Sequence, residues 1–85
     1  MFYVYVLKNE IDEKYIGYTG DLKERFRAHN TGKNRSTKGH RWELVYYEAF
    51  KSPEDARNRE KQLKAHGQAK RWLMKRIAKS LKMDT

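Results

Sequence analysis

The segment Phe2–Leu7 (FYVYVL) constrains the fold more than any other part of this chain. Aromatic and β-branched residues follow one another there without a polar interruption. This pattern is typical of a strand that is covered on both of its faces. Such a strand lies in the interior of a sheet, and the segment therefore predicts a central strand with packing elements on either side.

The chain is short and contains no cysteine, so neither a disulfide nor a thiolate zinc site can stabilise it. Its 85 residues suffice for one domain with a small core, to which six Tyr, three Phe and two Trp contribute much buried area. We expect a single domain over residues 1–85, as a monomer or a weak homodimer. Without a membrane-length apolar run or a signal-peptide pattern, we expect no membrane association and a cytoplasmic location.

Turn formers and helix-start signals divide the rest of the chain. Tyr15–Thr19 (YIGYT) predicts a second strand and Glu43–Phe50 (ELVYYEAF) a third. Helix starts are indicated by Asp21 and Glu24, which have the spacing of a capping box, and by Ser52 before a proline. We expect helices at about 22–30, 53–67 and 68–81 and a mobile polar loop at 31–41. The order β-β-α-β-α-α predicts one α+β domain.

Positive charge is unevenly distributed. Twenty Lys and Arg against eleven Asp and Glu give a net charge of +9, and residues 33–41 and 64–82 contain no acid at all. Such clustering favours a nucleic-acid partner over a merely solvated surface. DNA is the expected partner and RNA the alternative. Trp72 is expected to pack in the core rather than to stack on bases. The candidate nucleic-acid contacts are Lys33, Arg35, Lys38, His40, Arg41, Lys70 and Arg71.

Glu60 is placed where a carboxylate is costly. On a helix from Ser52 to Gly67, it falls within the apolar stripe formed by Ala56 and Leu63. A carboxylate that faces a core must be paired, hydrogen-bonded or bound to a metal. A structural ion pair with Arg25 or Arg59 is one interpretation. A Mg²⁺ site is the other, because Mg²⁺ often takes only one or two protein carboxylates and completes its shell with water and phosphate oxygens.

Two pairs of residues are further candidates for a site. Arg25 and His29 are one helical turn apart. His29 lies between Leu22 and Phe26 in angle and Arg25 flanks the same stripe, so both are expected to point toward the sheet side. Tyr5 and Tyr15 lie on the two strands of the first hairpin, close to Gly17, whose presence in a strand often marks a close approach. The alternatives are a hydrogen-bonded core histidine, a snorkelling arginine and ordinary strand tyrosines.

In this order, these residues resemble the GIY-YIG nuclease superfamily, specifically its small single-domain bacterial members. The resemblance covers nearly the whole chain. Tyr3-Val4-Tyr5 stands at the first signature triplet, and Tyr15-Ile16-Gly17 matches the second. Residues 21–30 are similar to the family helix that carries Arg and His, and residues 57–61 to the segment around the metal-binding glutamate. These small members are related to the N-terminal domain of the excision-repair incision nuclease. The resemblance therefore also implies a role in DNA repair.

The resemblance implies a three-stranded antiparallel sheet flanked by helices, and hydrolysis of a phosphodiester with one Mg²⁺ or Mn²⁺ ion. It implies that Tyr5 is the general base or orients the attacking water, and that Tyr15 assists at the scissile phosphate. Arg25 would stabilise the added negative charge, His29 would support the tyrosine chemistry, and Glu60 would hold the metal. A phenol with an ordinary pKa of about 10 needs nearby positive charge to act as a base.

Two positions depart from the family pattern. Tyr3 replaces the usual Gly, and the window Trp72–Lys75 lacks the Asn that many family nucleases place after the glutamate. Asn30 and Asn34 are the candidates to replace it in space. The first hypothesis is therefore a metal-dependent DNA endonuclease of little sequence specificity, acting on single-stranded or branched substrates. The alternatives are a nucleic-acid-binding module of the same fold with weak or no catalysis, and a basic structural protein that meets nucleic acid non-specifically.

Overall fold

The computed structural model describes residues 1–65 and 67–83 of the chain. It confirms the predicted α+β class, with one three-stranded antiparallel sheet and helices packed against it. The strands lie in the order β2-β1-β3, so the first strand is central, as its sequence predicts. The elements are β1 (Phe2–Asn9), β2 (Lys14–Thr19), α1 (Leu22–Asn30), β3 (Trp42–Phe50), α2 (Pro53–Ala65), α3 (Gly67–Arg76) and α4 (Ala78–Lys82).

The sheet separates two apolar clusters. Val4 and Val6 of β1 pack on one face with residues of α2 and α3, among them Leu63 and Leu73. The alternate residues of β1 belong to a second cluster, which contains Tyr5 and Leu7 together with partly buried residues of α1. Because successive side chains of a strand point to opposite faces, one run of apolar residues supplies both clusters.

Helix α1 begins at the predicted cap and lies against the face of Tyr5. The Asp21 carboxylate accepts the backbone N–H of Glu24 at 3.1 Å, which satisfies one of the free donors at the helix start. After Asn30 the chain leaves the helix, and Gly32 takes a positive φ of 76°. The position of α1 places His29, in its last turn, inside the protein.

The segment 31–41 is anchored to the body of the protein. A short 3₁₀ turn, Arg35–Thr37, brings Thr37 into a fully buried position. The Trp42 indole Nε1 donates to the Thr37 carbonyl at 2.9 Å, and the Asn30 amide exchanges two hydrogen bonds with the Trp42 backbone. These hydrogen bonds attach the segment to the rest of the protein. A hydrophobic pattern could not predict them, because the segment contains no apolar residue.

The last predicted helix differs from the structure in two respects. It is divided at Ile77 into α3 and α4, although no Gly or Pro marks the break. The prediction that Trp72 packs in the core is wrong, because Trp72 is 65% exposed. The helix buries Leu73 and Ile77, and the neighbouring position 72 falls outside that face. Within the described residues, no helix has the length and apolarity needed to cross a bilayer.

Candidate active site

The Tyr5 side chain crosses strand β2 at Gly17. Tyr5 and Gly17 are paired residues of neighbouring strands, and a Cβ atom at Gly17 would lie 2.4 Å from the Tyr5 hydroxyl oxygen. Only a residue without a side chain leaves room for the phenol there. Gly17 therefore marks a close approach, as its place in a strand suggests, and the approaching group is Tyr5 itself.

The Tyr5 hydroxyl lies 2.7 Å from Nε2 of His29, and Nδ1 of the same imidazole lies 2.7 Å from Oγ1 of Thr37. All three side chains are almost completely inaccessible, with 0%, 1% and 0% exposure respectively. Thr37 was not among the predicted site residues. It stands in a basic polar segment where no spacing or composition signal connects it to His29.

Burial and Arg25 set the protonation of this pair. Desolvation is the main reason why the pKa of Tyr5 is raised above that of a free phenol, while the Arg25 guanidinium partly opposes the shift. Burial, and then the charge of Arg25, lower the pKa of His29 below its ordinary 6.5. At neutral pH the site therefore holds a neutral phenol beside a neutral imidazole.

The ring of Tyr15 completes the cluster on the β2 side. Its centroid lies 4.8 Å from that of His29 and 6.3 Å from that of Tyr5. The Lys64 ammonium stands 5.8 Å from the centre of the Tyr15 ring. A surface cavity of about 230 Å³ adjoins these groups, and its lining includes Tyr15, Lys64 and Lys70. The cavity is bordered by cations, which suits an anionic ligand.

Arg25 is an exposed residue of α1, yet its guanidinium interacts with the buried Tyr5 hydroxyl. The guanidinium of Arg25 thus lies toward the sheet, as expected, while much of the side chain remains in solvent. A guanidinium at this place offers planar donors to a phosphoryl oxygen and positive charge to the phenol.

Glu60 stands at the edge of the cluster with 22% of its side chain exposed. Its carboxylate raises the pKa of Tyr5, so the two groups feel each other electrostatically. The expected partners Arg25 and Arg59 are not the ones it pairs with: Glu60 Oε2 lies 3.1 Å from Nζ of Lys64, and Arg59 bonds Glu48 on β3. The four-residue spacing of Glu60 and Lys64 is a sequence signal that could have identified this pair.

The surroundings of Glu60 fit a metal that is only partly coordinated by protein. Among the described residues, no three His, Cys, Asp or Glu side chains gather into a metal-holding group. A closed all-protein cage is therefore absent from that part of the chain. One accessible carboxylate suits Mg²⁺, which retains water and takes phosphate oxygens as further ligands. Glu60 is the residue that would hold such an ion.

Neither asparagine that was considered as a replacement for the missing family Asn is available. Both oxygen and nitrogen of the Asn30 amide bond the Trp42 backbone. The side chain of Asn34 accepts from Ser36, and its carbonyl accepts from Thr37. Both residues hold the 31–41 segment in place instead of facing a ligand.

The predicted nucleic-acid contacts lie on two surfaces. Four of the five in the 33–41 segment are exposed, whereas His40 is partly buried and its Nδ1 lies 2.5 Å from Oε2 of Glu10. This bond raises the pKa of His40. Lys70 and Arg71 are exposed on α3, and Lys70 lines the cavity beside Tyr15. The structure thus brings Lys70 to the tyrosine cluster.

Comparison with known proteins identifies relatives of this chain. A UPF0213 protein of Clostridium perfringens is 39% identical over 66 residues, which are 75% of this chain and 71% of that protein. A UPF0213 protein of Streptococcus pyogenes serotype M5 is 43% identical over 60 residues, 68% of this chain and 65% of that protein. The chain thus spans about two thirds of the length of the streptococcal relative.

A solved structure and a family model extend the comparison. The solution NMR structure of a UPF0213 protein from Bacillus halodurans has a TM-score of 0.57 and 32% identity, and the match covers 91% of this chain and 85% of that chain. The model of the GIY-YIG catalytic domain matches residues 1–75. These matches confirm the resemblance that the signature triplets indicate. The chain belongs to the GIY-YIG family.

Proposed function

We propose that this protein is an endonuclease that hydrolyses phosphodiester bonds of DNA with one Mg²⁺ or Mn²⁺ ion. Membership of the GIY-YIG family implies nuclease-type activity on a nucleic acid. The observation that carries the proposal is the convergence on the Tyr5 hydroxyl. His29 bonds it at 2.7 Å, and Arg25 and Glu60 both act on its pKa. Binding alone requires neither a buried phenol–imidazole pair nor a partly buried acid beside a lysine-lined cavity.

The roles follow from the chemistry of each group. The Tyr5 hydroxyl orients the attacking water, with His29 beside it as a neutral base. Arg25 provides a charge-assisted donor for the phosphoryl oxygens, which gain negative charge in the transition state. Lys64 and Lys70 border the surface cavity beside Tyr15 and attract the DNA strand to it.

Glu60 would hold the divalent ion, with the substrate phosphate as a further ligand. When bound, the ion supplies Lewis-acid stabilisation of the phosphate. The Glu60 carboxylate is paired with Lys64, whose Nζ lies 3.1 Å from Oε2. A substrate phosphate would give the ammonium of Lys64 an alternative partner, and the Glu60 carboxylate would then be able to hold the ion.

Two surfaces surround the centre with positive charge, the 33–41 segment and α3. Neither contains an acid. Contacts of this kind address the phosphate backbone and carry no base sequence, so we propose little sequence specificity. Single-stranded or branched DNA is the proposed substrate, because the exposed ring of Trp72 can stack on unpaired bases. We place this activity in the cytoplasm.

One observation favours the second candidate function, a nucleic-acid-binding module with weak catalysis. No Asn occupies the window Trp72–Lys75, and Asn30 and Asn34 are engaged in local hydrogen bonds. The experiment must therefore separate cleavage from binding.

Cleavage should be measured on labelled single-stranded, duplex, nicked and branched DNA and on RNA, with Mg²⁺, Mn²⁺ or EDTA. The proposal predicts metal-dependent cutting, strongest on the substrates with unpaired strands. Glu60→Ala should abolish cleavage. The affinity for DNA should stay equal or rise, because the variant removes a negative charge from the candidate active site. Glu54→Ala, which removes an exposed acid from the first turn of the same helix, is the matched control.

Intact binding without cutting under any metal would replace the nuclease by the binding module. A Glu60→Ala protein that no longer folds would make Glu60 a structural partner of Lys64.

A further inference from the structure

Thr37 is a fully buried residue that touches the catalytic cluster but has no role in the chemistry proposed so far. Its Oγ1 lies 2.7 Å from Nδ1 of His29 and 3.4 Å from the carbonyl oxygen of Asn34. The Thr37 backbone is fixed as well, since its N–H donates to the same Asn34 carbonyl and its own carbonyl accepts from Trp42. The fixed Thr37 hydroxyl can therefore influence which nitrogen of the His29 imidazole carries the proton.

The direction of the hydrogen bonds can be deduced from the Tyr5 end. The Tyr5 hydroxyl lies 2.7 Å from Nε2 of His29, and the nearby Arg25 guanidinium lowers its pKa. A guanidinium can only donate. The phenolic proton of Tyr5 therefore goes to Nε2 of His29, which must be unprotonated to accept it.

The Thr37 end of this series of hydrogen bonds gives the same direction. A neutral imidazole with a free Nε2 carries its proton on Nδ1 and donates it to Oγ1 of Thr37. The Thr37 hydroxyl then uses its own proton on the Asn34 carbonyl. Every donor has an acceptor in this arrangement, whereas the reverse direction leaves the Tyr5 proton without one. In the described part of the chain, no buried side-chain N or O atom lacks a partner.

We propose that Thr37, supported by the Asn34 carbonyl, is a positioning residue that holds His29 in its Nδ1–H tautomer and thereby keeps Nε2 ready to take the proton of Tyr5. Its catalytic consequence rests on the proposed nuclease function, but the tautomer itself does not.

The tautomer makes Tyr5 a proton relay. As the water oxygen forms its bond to phosphorus and the bond to the leaving oxygen breaks, the water proton passes to the Tyr5 oxygen and the Tyr5 proton passes to Nε2 of His29. The imidazolium keeps its Nδ1–H bond to Thr37, and the leaving alkoxide takes a proton from bulk water. Tyr5 never has to exist as a free phenolate, which agrees with its burial.

The test is a long-range ¹H–¹⁵N NMR spectrum of the histidine side chains at neutral pH, with His29 assigned through His29→Gln. In the wild type we expect a protonated, pyrrole-like Nδ1 and an unprotonated, pyridine-like Nε2. Thr37→Val keeps the shape and removes the acceptor, so the proton should shift toward Nε2. Thr37→Ser keeps the hydroxyl and should retain the wild-type tautomer.

The catalytic readout uses the same proteins. Thr37→Val should lower kcat about 10- to 100-fold with an unchanged KM, and Thr37→Ser should restore most of the rate. A wild-type His29 protonated on Nε2, or a Thr37→Val protein with unchanged tautomer and kcat, would overturn the proposal. The wild-type spectrum decides even if Thr37→Val does not fold. A wild type that shows the Nδ1–H tautomer and cuts nothing would leave Thr37 in its role and refute the nuclease.

Discussion

At the scale of single residues, the candidate site is a buried series of hydrogen bonds that runs from the Tyr5 hydroxyl through His29 to Thr37. Tyr5 was predictable as a strand residue of a signature triplet. Its complete burial and its path across Gly17 depend on strand pairing, which a local pattern does not contain. Thr37 reaches His29 only because Trp42 and Asn30 fold the intervening segment back. Partners of this kind are set by tertiary structure, and no spacing rule reports them.

The lowered pKa of His29 predicts an acid-side loss of stability. Below its ordinary pKa of 6.5 the unfolded chain protonates this histidine while the folded protein resists, so the free energy of unfolding falls as the pH falls. His40 acts oppositely, because its raised pKa stabilises the fold at low pH and this contribution is lost as the pH rises through that pKa. The measurement therefore belongs in a His40→Gln background.

Urea unfolding of His40→Gln between about pH 7 and about pH 5 should show stability decreasing toward acid, and adding His29→Gln should flatten the slope. The Glu10 carboxylate loses its His40 partner in this background, and its ordinary pKa of 4.5 lies below the pH range of the measurement. Equal slopes in the two proteins would mean that His29 is not held neutral.

At the scale of elements, strand β2 predicts a sharp difference between two glycines. In Gly17→Ala the new Cβ would lie 2.4 Å from the Tyr5 oxygen, so Tyr5 must move away from His29. In Gly20→Ala the new Cβ meets a Phe2 ring carbon at 3.5 Å, an ordinary contact. We expect Gly17→Ala to lose cleavage and about 1–3 kcal/mol of unfolding free energy, as overpacked sites do.

Gly20→Ala should retain activity and stay within about 0.5 kcal/mol of the wild type in chemical denaturation. If Gly17→Ala also cleaves and unfolds like the wild type, the phenol does not cross the strand at this point.

Helix α3 presents Trp72 to solvent beside a cavity of about 190 Å³ whose lining includes Arg59 and Arg76. Exposed aromatic rings among cations stack on unpaired bases. Trp72→Ala should weaken binding of single-stranded DNA by about 1–3 kcal/mol, the usual range for the loss of one base stack. Fluorescence anisotropy with a labelled oligonucleotide measures this.

Trp72→Phe keeps an aromatic face and should retain most of the affinity. Because the side chain is exposed, neither variant should change the unfolding free energy by more than about 0.5 kcal/mol. If Trp72→Ala binds DNA as tightly as the wild type, this face of α3 is not part of the binding surface. If the variant loses stability, Trp72 contributes to packing, as its sequence context suggested.

At the scale of the whole molecule, the fold was the most predictable property. The apolar run at 2–7 specified the central strand, and the Asp21 and Ser52 helix starts placed α1 and α2 correctly. The 31–41 segment was less predictable, because it is held by side-chain hydrogen bonds rather than by apolar burial.

The catalytic role of Tyr5 is tested most directly by the single-turnover cleavage rate of a single-stranded oligonucleotide with Mg²⁺, compared among wild type, Tyr5→Phe and Tyr18→Phe. Tyr18 is the control because it stacks on Phe2 beside Arg57, with the cluster on the opposite face of the sheet. We expect a rate about 10²–10⁴-fold lower for Tyr5→Phe, the usual loss of a proton-transfer group, and an unchanged rate for Tyr18→Phe. A Tyr5→Phe protein that cuts as fast as the wild type would contradict this role.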